Sequence, residues 1–286
     1  MREDPEPAQN ISGGADGGGH PATFDPATAE TRTEAVVDRL GELYWQKSYG
    51  GQDAFTCLVR TILSQNTSDV ASQPAHDALL ERYAPDGSLS GGDQAGDRPG
   101  TGATDLAEAL AAADRETLAE TISSAGLYNQ KSRMLIDAAA WVCEAFGSAA
   151  AFDAFVAEEA PATVRETLLE VRGVGPKTAD CVLLFAGGRD GVFPVDTHVH
   201  RIARRLGVAP KAADHEGVRE ALERDVPPEK CGFGHTAMIQ FGREYCTARR
   251  PACLEDPDAC PMGDYCEQVG VYPATGDVVD PADAPD

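Results

Sequence analysis

The chain has 286 residues, with 24 Lys and Arg against 47 Asp and Glu for a formal charge of −23, and that length admits one large domain or two modest ones. Its longest strongly apolar run, Cys181 to Ala186, is far too short to cross a bilayer, and Met1 to Glu30 lacks the apolar core of a signal peptide, so a soluble, intracellular protein is expected. So acidic a chain also argues against a polyanionic partner, unless the charge is unevenly spread.

In chain order, residues 1–30 are rich in Gly, Pro and acid and read as a disordered tail. Apolar residues then recur at three-to-four spacing over Glu34 to Lys47, Asp53 to Leu63, Val70 to Tyr83, Asp105 to Ala113, Arg115 to Ser123 and Lys131 to Phe146. The same spacing continues over Phe152 to Glu158, Thr163 to Val171, Lys177 to Ala186, Thr197 to Leu206, Glu216 to Glu223 and Gly232 to Tyr245. Between the third and fourth helices, Pro85 to Thr104 carries Gly-Gly, Pro-Gly and Asp-Gly steps and reads as a surface insertion. Nothing alternates with strand period, so the class is all-α, with no internal repeat.

Charge is indeed uneven. Residues 165–250 hold 14 Lys and Arg against 12 Asp and Glu, about +2, which leaves about −25 for the remainder. Arg250 is the last basic residue, and Asp277, Asp280, Asp283 and Asp286 give 271–286 the reading of an acidic tail. Many acids, few lysines and many arginines point to very salty cytoplasm, the alternative being an ordinary acidic protein. At molar salt, with a Debye length of about 3 Å, only contact-range charges count.

The balanced segment contains a glycine turn. Thr163 to Val171 is a short helix, Gly173, Val174 and Gly175 form the turn, and Pro176 suits the first position of the next helix. Such a helix-hairpin-helix can hold a phosphate on backbone N–H groups at the positive end of a helix, or it can simply join two packed helices. Lys177 follows in the first helical turn, where a cation opposes the helix dipole, and only five lysines exist in the chain. It reads either as a solvated surface residue or as an amine able to attack a sugar carbon. Asp196 precedes the helix from Thr197, where it can cap that helix and also stabilise positive charge on a sugar.

Four late cysteines, Cys246, Cys253, Cys260 and Cys266, follow the spacing C-x6-C-x6-C-x5-C. An all-cysteine set suits a 4Fe-4S cluster or structural zinc, although close C-x2-C pairs typical of zinc are absent. Cys57, Cys143, Cys181 and Cys231 are scattered singly and read as small buried hydrophobes, while His198 and His200 face different ways and make a poor metal pair. Arg249 and Arg250 lie between the first two late cysteines, placed either to grip phosphate or to pair with the acidic tail.

The segments VRGVGPKTADCVLLFA and PVDTHVHRIARRLG resemble the catalytic hairpin and aspartate segment of the endonuclease III family of DNA glycosylases. Further likenesses are AGLYNQKS (125–132), LVRTILSQNTSD (58–69) and FGREYCTARRPAC (241–253), so the resemblance spans roughly residues 31–270 in order. It implies a two-lobed helical fold with a cluster loop near the C-terminus. The helical barrel would be 50–189, and the N-terminal helix at 31–49 would join a cluster domain at 190–270.

By that resemblance Lys177 attacks the anomeric carbon of a damaged nucleotide and forms a Schiff base, Asp196 assists base departure, and β-elimination breaks the strand 3′ to the lesion. The four late cysteines hold a 4Fe-4S cluster, with a middle gap lengthened through Leu254 to Ala259. Asn66 occupies a position where the family often carries a glutamine that fills the gap left by a flipped base. Leu127 falls where an apolar wedge enters the stack, or packs as a turn residue, and Asp69 lies near the lesion pocket or caps a helix. The implied partner is double-stranded DNA with an oxidised pyrimidine or an abasic site, met by a monomer in the cytoplasm at the nucleoid. Competing readings are a relative with mismatch or purine preference, kept open by Asn66, and a noncatalytic DNA-binding protein with a structural metal.

Overall fold

The computed structural model describes residues 9–10, 23–45, 52–67, 69–85 and 103–285. Among them are twelve α-helices: α1 (Arg32–Gly41), α2 (Ala54–Ser64), α3 (Asp69–Tyr83), α4 (Leu106–Ala111), α5 (Arg115–Thr121), α6 (Tyr128–Phe146), α7 (Ala149–Glu158), α8 (Pro161–Leu169), α9 (Pro176–Phe185), α10 (Thr197–Leu206), α11 (His215–Asp225) and α12 (Pro228–Glu244). Two short strand pairs accompany them, β1 (Gln9–Asn10) parallel to β2 (Tyr44–Trp45) and β3 (Val271–Tyr272) antiparallel to β4 (Asp277–Val278). The chain divides into two compact units, Gly50–Arg189 and Met1–Tyr49 with Asp190–Asp286.

The acid-rich composition has a local use. α2, α4, α5, α10 and α11 each begin on an aspartate, Asp53, Asp105, Asp114, Asp196 and Asp214, whose carboxylate accepts a backbone N–H of the first turn. Such a cap stabilises by about 1 kcal/mol, and its negative charge meets the positive helix end.

In the unit Gly50–Arg189, α2 is the central helix and packs against α3, α6, α7 and α9. Phe55, Leu58, Ile62 and Leu63 of α2, Leu135 and Val142 of α6, Phe152 of α7 and Val182 of α9 are all buried, each side chain contributing about 2 kcal/mol on burial. In the other unit α1 and α10 pack on α12, around Val37, Leu40, Phe193, Ile202, Phe233 and Phe241. Lys230 of α12 reaches Glu34 Oε1 and Asp38 Oδ1 of α1 at 2.7 Å each, a buried cation met by two carboxylates.

Three features depart from the sequence reading. The first helix ends at Gly41 rather than continuing to Lys47, and the chain turns into β2. The expected N-terminal disorder does not extend to residue 30, because the Phe24 ring packs 4.3 Å from that of Phe233 and Asp25 N donates to Asp38 Oδ2. The C-terminal acidic stretch is folded, since β3 and β4 pair and Arg204 grips Asp280 through two hydrogen bonds of 2.9 and 3.1 Å. Residues 1–8 and 11–22 of the expected tail and 86–102 of the expected insertion lie outside the described residues. No single helix among the described residues is long and apolar enough to cross a membrane.

Candidate active site and thiol loop

The hairpin is built by α8, the turn and α9. Arg165 of α8 donates through Nε to Asp180 Oδ1 of α9 at 2.7 Å, so a buried carboxylate ties the two helices together. Val174 N donates to Val171 O at 3.0 Å and closes the turn. Gly173 has φ +89°, a backbone that favours glycine, and a Cβ there would press on the Met134 side chain. Its carbonyl accepts from Gln65 Nε2 at 3.1 Å, and the same amide lies 3.2 Å from Thr178 Oγ1. Gln65 therefore fixes the end of α2 to the hairpin, a role the sequence reading missed by attending to its neighbour.

Gly175 caps α9 and faces open space, with no atom within 4 Å of where a Cβ would sit. The start of α9 there suits an anion, which the positive helix end attracts. The Val174 side chain is buried, so only its backbone is placed to meet a ligand. Lys177 is the second residue of α9 and half-buried. Its charge is felt at Cys57, whose thiol burial pushes up to about 12 while Lys177 pulls the other way.

Asp196 belongs to the other unit. Its Oδ1 accepts from His198 N at 2.8 Å and Val199 N at 2.9 Å, so the capping role read from the sequence is present and the carboxylate is rigid. Burial holds the His198 imidazole below its ordinary value, against the pull of Asp196.

Asn66 and Leu127 share an unusual backbone. They have φ +52° and +46°, in the left-handed region disfavoured for residues with side chains. Both are exposed, Leu127 at 56%, the largest value among the exposed large hydrophobic residues described. Neither is a core-packing turn residue. Asp69 opens α3, and its side chain lies outside the described residues.

The four late cysteines line one cavity, walled also by Leu206, Phe241, Tyr245 and Pro251. Four thiols around a shared cavity are a donor set that suits an iron-sulfur cluster. Burial pushes the Cys266 thiol up to about 12 and those of Cys253 and Cys260 upward, and a bound cation would act in the opposite direction.

Two arginines of α10 hold this loop. Arg205, 3% exposed, donates to Thr247 O and Ala248 O at 2.7 Å each and lies 3.6 Å from Cys246 Sγ, while Arg201 Nη2 donates to Cys246 O at 2.9 Å. From α1, Arg39 Nε reaches Pro261 O at 3.1 Å. The sequence reading assigned none of these, although RIARR in one helical turn ahead of a cysteine loop is the visible signal. Arg249 and Arg250 are exposed, and Arg250 pairs with Glu255 inside the lengthened gap rather than with the C-terminal stretch. That pair is 78% and 67% exposed, worth under about 1 kcal/mol, and readily exchanged for another anion. Cys57, Cys181 and Cys231 are buried, as small apolar residues should be, and Cys143 is half-buried.

Comparison with known proteins places this architecture. A family model described as HhH-GPD superfamily base excision DNA repair protein matches residues 59–228, and one described as the iron-sulfur binding domain of endonuclease III matches residues 246–266. Endonuclease III of Bacillus subtilis is 32% identical over 237 residues, 82% of this chain and 91% of that protein. The Thermotoga maritima protein of the same name is 31% identical over 215 residues, 75% and 83% of the two chains. A non-covalent endonuclease III–DNA complex superposes with TM-score 0.59 at 26% identity, covering 76% of this chain and 84% of that one. A trapped endonuclease III–DNA covalent intermediate gives TM-score 0.59 at 26% identity over 77% and 86%. With one family model spanning more than half of its length and a second bounded by its first and last late cysteines, the chain belongs to the endonuclease III family of base-excision DNA glycosylases and abasic-site lyases, in its iron-sulfur form.

Proposed function

We propose that this protein removes oxidised pyrimidines from duplex DNA and cleaves the strand 3′ to the resulting abasic site through a lysine Schiff base. The observation that carries the reading is Lys177 in the first turn of α9, directly beyond a glycine hairpin whose Gly175 faces open space. The Lys177 amine attacks C1′ as the C1′–N bond to the base breaks, and Asp196 stabilises the positive charge on the sugar. Loss of a proton and opening of the sugar ring give an imine between Nζ and C1′. The imine acidifies the C2′ proton; its removal expels the 3′ phosphate by breaking C3′–O, and water then releases the enzyme. Gly173, Val174 and Gly175 hold phosphate through their backbone, Asn66 and Leu127 enter the space left by the flipped nucleotide, Asp69 lines the lesion pocket, and Arg249 and Arg250 grip the flanking strand.

Cys246, Cys253, Cys260 and Cys266 are assigned as ligands of a 4Fe-4S cluster, which supplies iron–thiolate bonds that fix the loop bearing the two arginines. The acidic balance outside 165–250 supports work in salty cytoplasm, where binding leans on hydrogen bonds and side-chain insertion more than on counterion release. Borohydride trapping on an abasic duplex tests the central claim. The wild-type chain should form a covalent adduct that Lys177→Ala abolishes. No adduct on any lesion would favour a noncatalytic DNA-binding protein, and base release without an adduct would favour a glycosylase that lacks the lyase step.

A further inference from the structure

Lys131, near the start of α6, is 2% exposed, and no catalytic role has been assigned to it. Its Nζ lies 2.7 Å from Leu63 O, 2.7 Å from Thr67 Oγ1 and 2.8 Å from Ala125 O. A lysine ammonium has three donors and no acceptor, so three oxygens satisfy it completely. Burial draws its pKa down, and this ring of oxygens is what a desolvated ammonium requires.

The origin of the three oxygens matters more than their number. Leu63 lies in the last turn of α2, Thr67 directly follows Asn66, and Ala125 stands two residues before Leu127. Thr67 Oγ1 in turn donates to Ala125 O, so the two loops are joined directly as well as through the amine. Each loop carries at its tip a non-glycine residue in left-handed backbone, and such conformations persist only where the surroundings over-determine them. A lysine serving only to fill the core could point at any carbonyls; this one points at both insertion loops and at the end of α2.

We propose that Lys131 is a positioning residue, which fixes the spacing of the Asn66 and Leu127 tips so that both enter the duplex together. The proposal rests on the reading that these tips penetrate the base stack, and the test separates the two. Lys131→Met keeps the stem and removes the charge. Borohydride trapping is measured on an abasic site in a duplex and in a single strand, where no stack has to be opened. A fluorescent adenine analogue opposite the duplex site reports insertion, and thermal melting reports folding.

The expected result is a duplex trapping rate lower by about 10²-fold, the scale of a small misplacement of insertion groups. Single-strand trapping should persist and the fluorescence change on binding should be lost. Equal losses on both substrates, or an unchanged duplex rate, would overturn the proposal. Should Lys131→Met fail to fold, Thr67→Val removes one of the three acceptors and should show a smaller, still duplex-only loss; an unaffected duplex rate would overturn it again. A wild-type chain that traps neither substrate would sink the underlying lyase reading instead.

Discussion

The two units fix their functional loops by different means. In Gly50–Arg189 the turns are short and are tied by a few side-chain bonds: Gln65 and the Arg165–Asp180 pair at the hairpin, Lys131 and Thr67 at the Asn66 and Leu127 turns. In the cluster unit the thiol loop has only 3₁₀ turns of its own, and guanidinium groups from the core helices hold its carbonyls instead. The contrast follows from backbone accounting: a segment without regular structure leaves carbonyls unpaired, and an arginine fork satisfies two at once. Loss of one tie in the first unit should therefore act locally at its turn, whereas loss of an arginine in the second should loosen the whole loop.

The largest effect bearing on this contrast is expected at Asp196. Asn also caps helices well, so Asp196→Asn should leave melting nearly unchanged while slowing base release about 10²-fold or more, measured in single turnover. If release is unaffected, Asp196 is a cap alone. Next comes Arg205→Met, which strands the carbonyls of Thr247 and Ala248 and should destabilise the cluster unit by about 3 kcal/mol. Iron content and visible absorbance should fall with it; full iron retention would show that the thiols hold the loop unaided.

A smaller effect is expected when Arg249 and Arg250 are both changed to alanine. Duplex affinity should drop about equally for every lesion, and the slope of log affinity against log salt should shrink by roughly 2. A loss confined to one lesion would argue against phosphate contact. The smallest concerns Asp280, which the Arg204 guanidinium holds below the usual carboxylate range. A depressed carboxylate contributes stability above its unfolded pKa and loses it as pH falls through its folded one. Acidification below the ordinary aspartate range should therefore raise hydrogen exchange in 271–285, and Asp280→Asn should remove that step.

Sequence periodicity reached the helices because nearly all of them bury an apolar face and several begin on a capping aspartate, both local properties. It overran at the first helix because apolar spacing continues past Gly41, whereas Tyr44 and Trp45 pair as a strand with residues 9–10, far outside the helical window. The hairpin was legible from Gly173 to Lys177 since a positive-φ glycine and a proline at the first helical position are each diagnostic in place. Asp280 looked like tail acid because its partner Arg204 is distant in sequence.

By itself the sequence marked the candidate residues: an amine past a glycine turn, a carboxylate at a helix start and four thiols on one loop, all set by neighbours within a few positions. Only the tertiary structure decided what holds them. Lys131 finds oxygens in three separate segments and Arg205 finds the thiol loop, because a buried cation must be met by whatever acceptors folding brings to it, and those lie far along the chain.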